Sequence, residues 1–387
     1  SLTVAVLMDR CQYRDRQGVA LEGRYMVNKT DLHPANRLGL DYAAEATGLR
    51  RHDFPIIDVH THIKGDKAAV IYKKAAGLYG VGLTYSMTPP DEMEAVRAVL
   101  GEAVRFIAIP DYRDLTSLDQ LGAQYARRIE RLHGEGVRIA KFWSAPRGRD
   151  LEAKAGLPGA LRLDSPHILE SMGAAAGLGM AIMVHIGDPD TWFASKYTDV
   201  GRYGSKREQY EPFELAMERF DVPFIAAHMG GWPEDLDFLS GLLSRHSKLY
   251  LDTSATKWMV RELSKHSRES LIEFFEKWRG RILFGSDIVT SDEHLSVEAD
   301  GAGELDVARL HERAFDLYAS RYWALRTLLE TDYVGESPIA DPDLAMLDSE
   351  RYDSMSAPQL IGKCLPKSLL RSLLHDAAND LLQSFRG

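Results

Sequence analysis

Short runs of β-branched and aromatic residues alternate with longer segments of helical periodicity from about residue 55 onward. Parallel neighbouring strands need a crossover connection, so strands that alternate with helices predict a parallel sheet. Eight such units in sequence predict an α/β fold of the (β/α)8 TIM-barrel type. The predicted strands are 55–60, 81–86, 104–109, 137–143, 180–185, 223–228, 248–252 and 281–286. The predicted helices are 68–78, 91–100, 118–133, 168–177, 213–220, 234–245 and 267–278.

An open, doubly wound sheet is the alternative to a closed barrel. That fold binds dinucleotides through a Gly-x-Gly-x-x-Gly turn after its first strand. No such turn follows residues 55–60, which counts against this alternative.

The domain organisation follows from where the regular pattern begins. Residues 1–54 form a polar, charged segment that predicts an N-terminal arm or extra layer, with a strand at 2–8 and a helical turn at 41–47. Residues 55–387 are predicted to form the barrel domain. Residues 300–329 have the pattern of a long amphipathic helix, so C-terminal helices should follow the eighth strand.

Composition narrows the function classes. A net charge of −10 and a pI near 5.7 argue against binding to nucleic acid or to an anionic membrane. The longest apolar run, residues 172–184, is too short to cross a bilayer. Cys11 and Cys364 are far apart in sequence, so no disulfide framework is expected. With no secretory signal visible, a cytoplasmic protein with a small-molecule substrate is expected.

Residues with ligand or acid–base side chains stand at the predicted C-terminal ends of the strands, where barrels of this type carry their active site. His60 and His62 are two apart on a strand and therefore point to one face, where two imidazoles supply half of a zinc-type site. A single histidine there is equally well explained by a hydrogen bond in the core. Four histidines and an aspartate at one end favour a site. The strand-end set is His60, His62, Lys141, Trp143, His185, His228 and Asp287.

Four sequence motifs are similar to those of the amidohydrolase superfamily. The motifs are Ile57-Asp58-Val59-His60-Thr61-His62, Val184-His185, Ala227-His228-Met229-Gly230-Gly231 and Leu283-Phe284-Gly285-Ser286-Asp287. The two glycines after His228, residues 251–254 and the segment 365–379 most resemble the amidohydrolase-related branch. That branch includes the aminocarboxymuconate semialdehyde decarboxylase, related benzoate-type decarboxylases and several lactone hydrolases. The resemblance spans roughly residue 55 to the C-terminal end.

The resemblance implies a divalent metal with His228 beside it. The implied ligands are His60, His62, His185 and Asp287. Zinc is the favoured ion, because such a site can lower the pKa of a water to about 7. His228 would act on the water or the substrate, as an imidazole that titrates near neutrality can, and Asp287 is expected to serve as a proton acceptor as well as a ligand. In binuclear relatives a carboxylated lysine on the fourth strand bridges two metals; Lys141 stands at that place, so a second metal stays open although one is favoured.

The substrate is read from the catalytic-face loops. Trp143 ends a strand and predicts a cavity wall, with Lys141 beside it. Trp192 belongs to a long loop with several cationic residues, suited to a planar, carboxylate-bearing substrate or equally to solvent exposure. The expected function is hydrolysis of a small amide, lactone or similar substrate by a metal-activated water. The alternatives are a non-oxidative decarboxylase of an aromatic or muconate-type acid at the same site, and a barrel with a structural metal. A homodimer is left open.

Overall fold

The computed structural model describes residues 33–112, 115–295 and 311–386. The strands are β1 (Ile56–His62), β2 (Val81–Ser86), β3 (Val104–Phe106), β4 (Ile139–Trp143), β5 (Ala181–His185), β6 (Phe224–Ala226), β7 (Leu249–Asp252), β8 (Ile282–Leu283), β9 (Ile288–Val289), β10 (Val334–Glu336) and β11 (Gln359–Ile361). All eight predicted strands are present, with boundaries that differ by a few residues. The predicted strand at 2–8 lies outside the described residues, as does most of the segment 1–54.

The helices follow the strands as predicted. They are α1 (Tyr42–Ala46), α2 (Asp66–Leu78), α3 (Met93–Leu100), α4 (Ala123–Gly134), α5 (Gly148–Ala155), α6 (Pro166–Gly177), α7 (Asp190–Ser195), α8 (Val200–Tyr203), α9 (Glu211–Arg219), α10 (Leu236–Arg245), α11 (Thr256–Leu263), α12 (Arg268–Lys277), α13 (His311–Glu330), α14 (Asp343–Leu347), α15 (Lys367–Arg371) and α16 (Ala377–Gln383). The long helix predicted at 300–329 corresponds to α13, and its predicted start falls partly outside the described residues. Helices α5, α7, α8, α11 and α14 were not predicted from the sequence.

Nine of these strands form two parallel sheets, with the orders β3-β2-β1-β9 and β4-β5-β6-β7-β8, and β10 pairs with β11 in a separate antiparallel sheet. Backbone hydrogen bonds join the two sheets at both edges. Between β3 and β4, the Lys141 amide donates to the Ala108 carbonyl over 2.8 Å. Between β8 and β1, the Val59 amide donates to the Phe284 carbonyl over 2.9 Å. The parallel α/β architecture predicted from the sequence is therefore confirmed.

The eighth predicted strand is broken into β8 and β9 by a turn at Asp287, whose φ is 59°. Before this turn, the chain passes very close to its neighbours at Gly285. A Cβ atom there would lie 3.0 Å from the Cβ atoms of both His60 and Ser254. A glycine is required where a backbone approaches another strand this closely, and the approach sets Asp287 beside β1.

Apolar side chains of the strands divide between two clusters. Ile57 and Val59 pack with Met183 and Ile225 and with α16, whereas Ile56 belongs to a larger cluster together with residues of the surrounding helices. Strands buried on both faces are expected in a parallel sheet covered by crossover helices. Helix α16 therefore closes the space that the first cluster fills.

Two expectations about the environment have different outcomes. Within the described ranges, no helix is long and apolar enough to cross a membrane. Cys364 is disulfide-bonded, whereas no disulfide framework was expected from the sequence. The cytoplasmic location stays a prediction.

Candidate metal centre

Three of the predicted ligands come within reach of one ion. His60 and His62 end β1, and each has its Nε2 close to Oδ1 of Asp287, at 3.5 Å and 3.2 Å respectively. One ligand atom of each of the three residues lies within 4.8 Å of the others. The Asp287 amide donates to the His60 carbonyl over 2.8 Å, which fixes the position of the carboxylate. Two imidazoles and a carboxylate are a donor set that suits zinc or a similar ion.

A β-bulge turns the two histidines toward this centre. Between Asp58 and Thr61, the pairing of β1 with β2 shifts by one residue. Asp58 contacts Tyr322 of α13, on the helix side of the strand, while His60 lines the cavity described below. In an unbroken strand these two residues would share a face. Bulges are known to re-aim side chains next to active sites, and this bulge does so for His60.

Asp252 holds His60 from behind. The carboxylate, at the end of β7, accepts a hydrogen bond from His60 Nδ1 over 2.8 Å in a fully buried setting. Because Nδ1 carries the proton, Nε2 keeps its lone pair toward Asp287, as in the carboxylate–histidine pairs of metal sites. Burial by itself would raise the pKa of Asp252, but His60 and His228 outweigh it and hold the pKa below its usual range.

Ser254 connects this pair to His228. Its hydroxyl donates to Asp252 and lies 2.8 Å from His228 Nδ1. A hydroxyl has one proton, so His228 Nδ1 must donate to it and Nε2 of His228 is left as an acceptor. Burial, and then the neighbouring His185, lower the pKa of His228 well below its usual value. Burial thus favours the uncharged imidazole, with Nε2 as its acceptor nitrogen. Ligand atoms of His228, His60 and Asp252 also lie within 4.8 Å of one another. The hydrogen bonds described above explain this second cluster.

His185 lies at the same end of the strands but apart from the three ligands. Its ring centroid is 4.5 Å from that of His228. Its Nε2 donates to Asp188 over 2.9 Å, and Asp188 also accepts from the Tyr197 hydroxyl over 2.6 Å. The loop after β5 thus supplies a carboxylate that binds Nε2 of His185. The role of His185 as a ligand stays a prediction.

A cavity of about 730 Å³ opens above these residues. The three predicted substrate-binding residues, Lys141, Trp143 and Trp192, all line it. Lys141 Nζ is 3.4 Å from Nε2 of His60. Burial lowers the pKa of Lys141 to about 8, while the charges of Asp252 and Asp287 raise it.

Several lining residues were missed by sequence reasoning. Trp258 lies on the unpredicted α11, and Asp343 begins α14 in the C-terminal part of the chain. Trp258 lies shortly after the predicted strand 248–252 and the motif at residues 251–254. This position is a signal that could have identified it. Asp343 had no such signal, because only the fold brings it to the cavity. Basic residues also line the cavity; these are Lys64, Arg128, Arg147, Lys257 and Arg321.

Comparison with known proteins gives structural neighbours only. No family model matches the sequence, and no curated protein does. A 2,6-dihydroxybenzoate decarboxylase matches with a TM-score of 0.41 and 12% identity, over 70% of this chain and 99% of its own. An amidohydrolase from Burkholderia multivorans matches with a TM-score of 0.40 and 10% identity, over 85% and 99%. An organophosphorus hydrolase variant from Deinococcus radiodurans matches with a TM-score of 0.40 and 14% identity, over 66% and 81%.

The first two neighbours are named as the kinds of enzyme that the sequence motifs resemble. With TM-scores near 0.4, these matches carry no argument about what this chain does. The function is argued from the residues of the site.

Proposed function

We propose that this chain is a metal-dependent enzyme of the amidohydrolase type that hydrolyses a small amide, lactone or similar substrate. The observation that supports this most directly is the convergence of His60, His62 and Asp287 within 4.8 Å of one another at the edge of a large cavity. Structural zinc sites are closed and rich in cysteine, whereas catalytic sites keep an open position. A centre that faces a cavity fits the second kind.

The residues present fit a single divalent ion, with zinc favoured. His60, His62 and Asp287 would hold it, and His185 would join them as the fourth ligand if its hydrogen bond to Asp188 were exchanged. Such an ion supplies a lowered pKa for water and polarises a substrate oxygen. A second ion, with a carboxylated Lys141 as bridge, is the less favoured arrangement.

The chain's own residues supply the proton transfer and the binding. His228 Nε2 accepts a proton from the attacking water and returns it to the leaving group, because its Nδ1 is fixed on Ser254. Asp287 serves as a further proton acceptor in the same place. Lys141 and the other basic residues that line the cavity pair with a substrate carboxylate. Trp143 and Trp192 contact the apolar part of the substrate.

We also infer that the eight strands close into a (β/α)8 barrel. The support is the hydrogen bonds at both junctions between the two sheets, one at Ala108 and the other at Val59. In such a barrel the C-terminal strand ends form one rim, where the ligands and His228 are expected together.

Non-oxidative decarboxylation of an aromatic or muconate-type acid is the second candidate. The basic residues that line the cavity favour it, since a substrate carboxylate would be drawn into the site. Carbon dioxide release from aromatic acids, measured beside ring opening of lactones and hydrolysis of amides, distinguishes the two reactions.

The test of the site is the variant Asp287→Ala. Wild-type protein should contain about one metal per chain, and the variant should lose most of it, because one of three clustered donors is removed. Turnover should fall by more than the roughly 10–100-fold that loss of an outer hydrogen bond costs. Metal content by mass spectrometry and turnover on the lactone, amide and aromatic-acid panel are measured on the same samples.

Asp237→Ala is the matched control, because Asp237 is an exposed carboxylate on α10. It should keep both metal and turnover. Full metal content and full turnover in Asp287→Ala would remove the proposed site.

A further inference from the structure

The C-terminal part of the chain places one buried carboxylate in the cavity wall. Oδ2 of Asp343 accepts hydrogen bonds from the indole Nε1 of Trp192 over 2.7 Å and of Trp258 over 3.3 Å. These tryptophans come from α7, between β5 and β6, and from α11 respectively. A single oxygen atom thus ties together three parts of the chain that are far apart in sequence.

This carboxylate faces a buried arginine that it shares with two other carboxylates. Arg261 Nη1 lies 3.2 Å from Asp343 Oδ2 and also binds Asp341, and Arg261 Nε donates to Glu262 over 2.6 Å. Trp258 and Arg261 are three residues apart on α11 and therefore neighbours on one face of the helix. Hydrogen bonds from charged partners are the stronger ones, so this arrangement holds Asp343 firmly.

The two indoles form an angled aromatic wall. Their ring centroids are 5.3 Å apart and their planes cross at 78°. Trp258 also packs edge-on against His228 at 5.6 Å and against His185 at 6.2 Å. Because both indole N–H groups are bound to Asp343, these side chains offer ring carbon atoms to the cavity.

We propose that Asp343 is a specificity-determining residue of this cavity. By fixing Trp192 and Trp258, it builds a rigid wall that selects a flat, unsaturated anion over a saturated anion of the same charge and ring size. Aromatic rings gain from edge-on and offset contacts with other rings, which a saturated ring lacks. The inference rests on the proposed function only in taking the cavity as the substrate site. Asp343 acts through the two tryptophans and takes no part in the chemical step.

The test compares benzoate with cyclohexanecarboxylate, which share a carboxylate and a six-membered ring. Binding of each acid to zinc-loaded protein is measured by calorimetry for the wild type and for Asp343→Asn. The wild type should prefer benzoate by roughly threefold to tenfold. Asp343→Asn should bind the two acids within about twofold of each other, because the uncharged amide holds the indoles weakly. Asp348→Asn, at an exposed position just after α14, is the matched control and should keep the wild-type preference.

A second variant covers poor folding of Asp343→Asn. Trp258→Phe keeps an aromatic ring and removes one of the two indole N–H groups that donate to Asp343. The preference for benzoate should therefore fall in this variant as well. A wild type that binds both acids equally, or neither, overturns the inference, and so does an unchanged preference in these variants. Metal content of the same samples separates the two proposals: a wild type that takes up no metal contradicts the proposed function, whereas metal-loaded protein without a preference contradicts only the role of Asp343.

Discussion

The proposed ligand His60 is oriented by a residue 192 positions away, the carboxylate of Asp252. An isolated imidazole has two tautomers, and either nitrogen can face a metal. The buried hydrogen bond to Asp252 selects the tautomer with Nε2 free. The same carboxylate accepts from the His228 amide over 2.9 Å and from Ser254. One residue thereby aligns both the ligand and the proposed acid–base group.

Replacing Asp252 with Asn should weaken zinc binding by about 10–100-fold, because the amide orients His60 without a negative charge. The measurement is competition for zinc with a chromogenic chelator. Asp237→Asn, an exposed carboxylate exchanged in the same way, should bind zinc as the wild type does. Unchanged affinity in Asp252→Asn would show that the hydrogen bond does not select the tautomer.

Three turns, which follow β6, β7 and β8, contain non-glycine residues in the left-handed backbone region. The φ values are 59° for His228, 51° for Met229, 64° for Ala255 and 59° for Asp287. Such conformations cost about 1–3 kcal/mol each and persist only where the surroundings impose them. Three of these residues, His228, Ala255 and Asp287, line the cavity. The strain is therefore concentrated where the chain must turn side chains inward.

Gly231, in the turn after β6, lies very close to the loop after β5. A Cβ atom on Gly231, whose φ is 77°, would lie 2.2 Å from the carbonyl oxygen of Gly187 in the loop after β5. Gly231→Ala should therefore lower the free energy of unfolding by about 1–3 kcal/mol or more. Urea denaturation measures it. Gly177→Ala, at the end of α6 with no atom near the added carbon, should be neutral or slightly stabilising; equal effects of both exchanges would contradict the close approach.

Element types were predictable where the pattern was local. The strands and most helices follow from periodicity, which packing on both faces of a parallel sheet imposes. Helix α11 was missed because its residues directly follow a strand motif and carry no separate start signal. The split of the eighth strand was also missed, since it depends on the contact of Gly285 with His60 and Ser254.

For the whole molecule, the buried carboxylate of Asp58 links β1 to the turn after β8 and to helix α13. It accepts from the Ser286 hydroxyl over 2.6 Å and from the Tyr322 hydroxyl of α13 over 2.9 Å. The His60 amide also donates to it, over 3.1 Å. Burial raises the pKa of Asp58 to about 7, although these hydrogen bonds lower it.

This carboxyl makes stability depend on pH in a definite direction. Its pKa is higher in the folded protein than the ordinary value of 3.8, so the folded state holds the proton more tightly. Its stabilising contribution is full below about pH 4 and is lost as pH rises through 7. Relative to wild type, Asp58→Asn should therefore gain about 2 kcal/mol in free energy of unfolding between pH 5 and pH 7. Urea denaturation of the metal-free proteins at both pH values measures the difference, and parallel pH profiles would contradict it.

The parallel α/β pattern, the strand ends and the residues at those ends could be predicted from the amino-acid sequence alone. This was possible because strand periodicity and the position of a side chain at a strand end are local properties. His60, His62 and Asp287 were predicted as neighbours, and the structure places them within 4.8 Å of one another.

The orientation of these residues, and the contacts that hold them, depend on the folded chain. The bulge in β1 depends on its pairing with β2, and the bond of Asp343 to Trp192 spans 151 positions. His185 donates to Asp188, a contact that the sequence did not predict. Hydrogen bonds of this kind act over about 3 Å and depend on angle. They follow from where the folded backbone brings distant residues, which no local pattern in the sequence records.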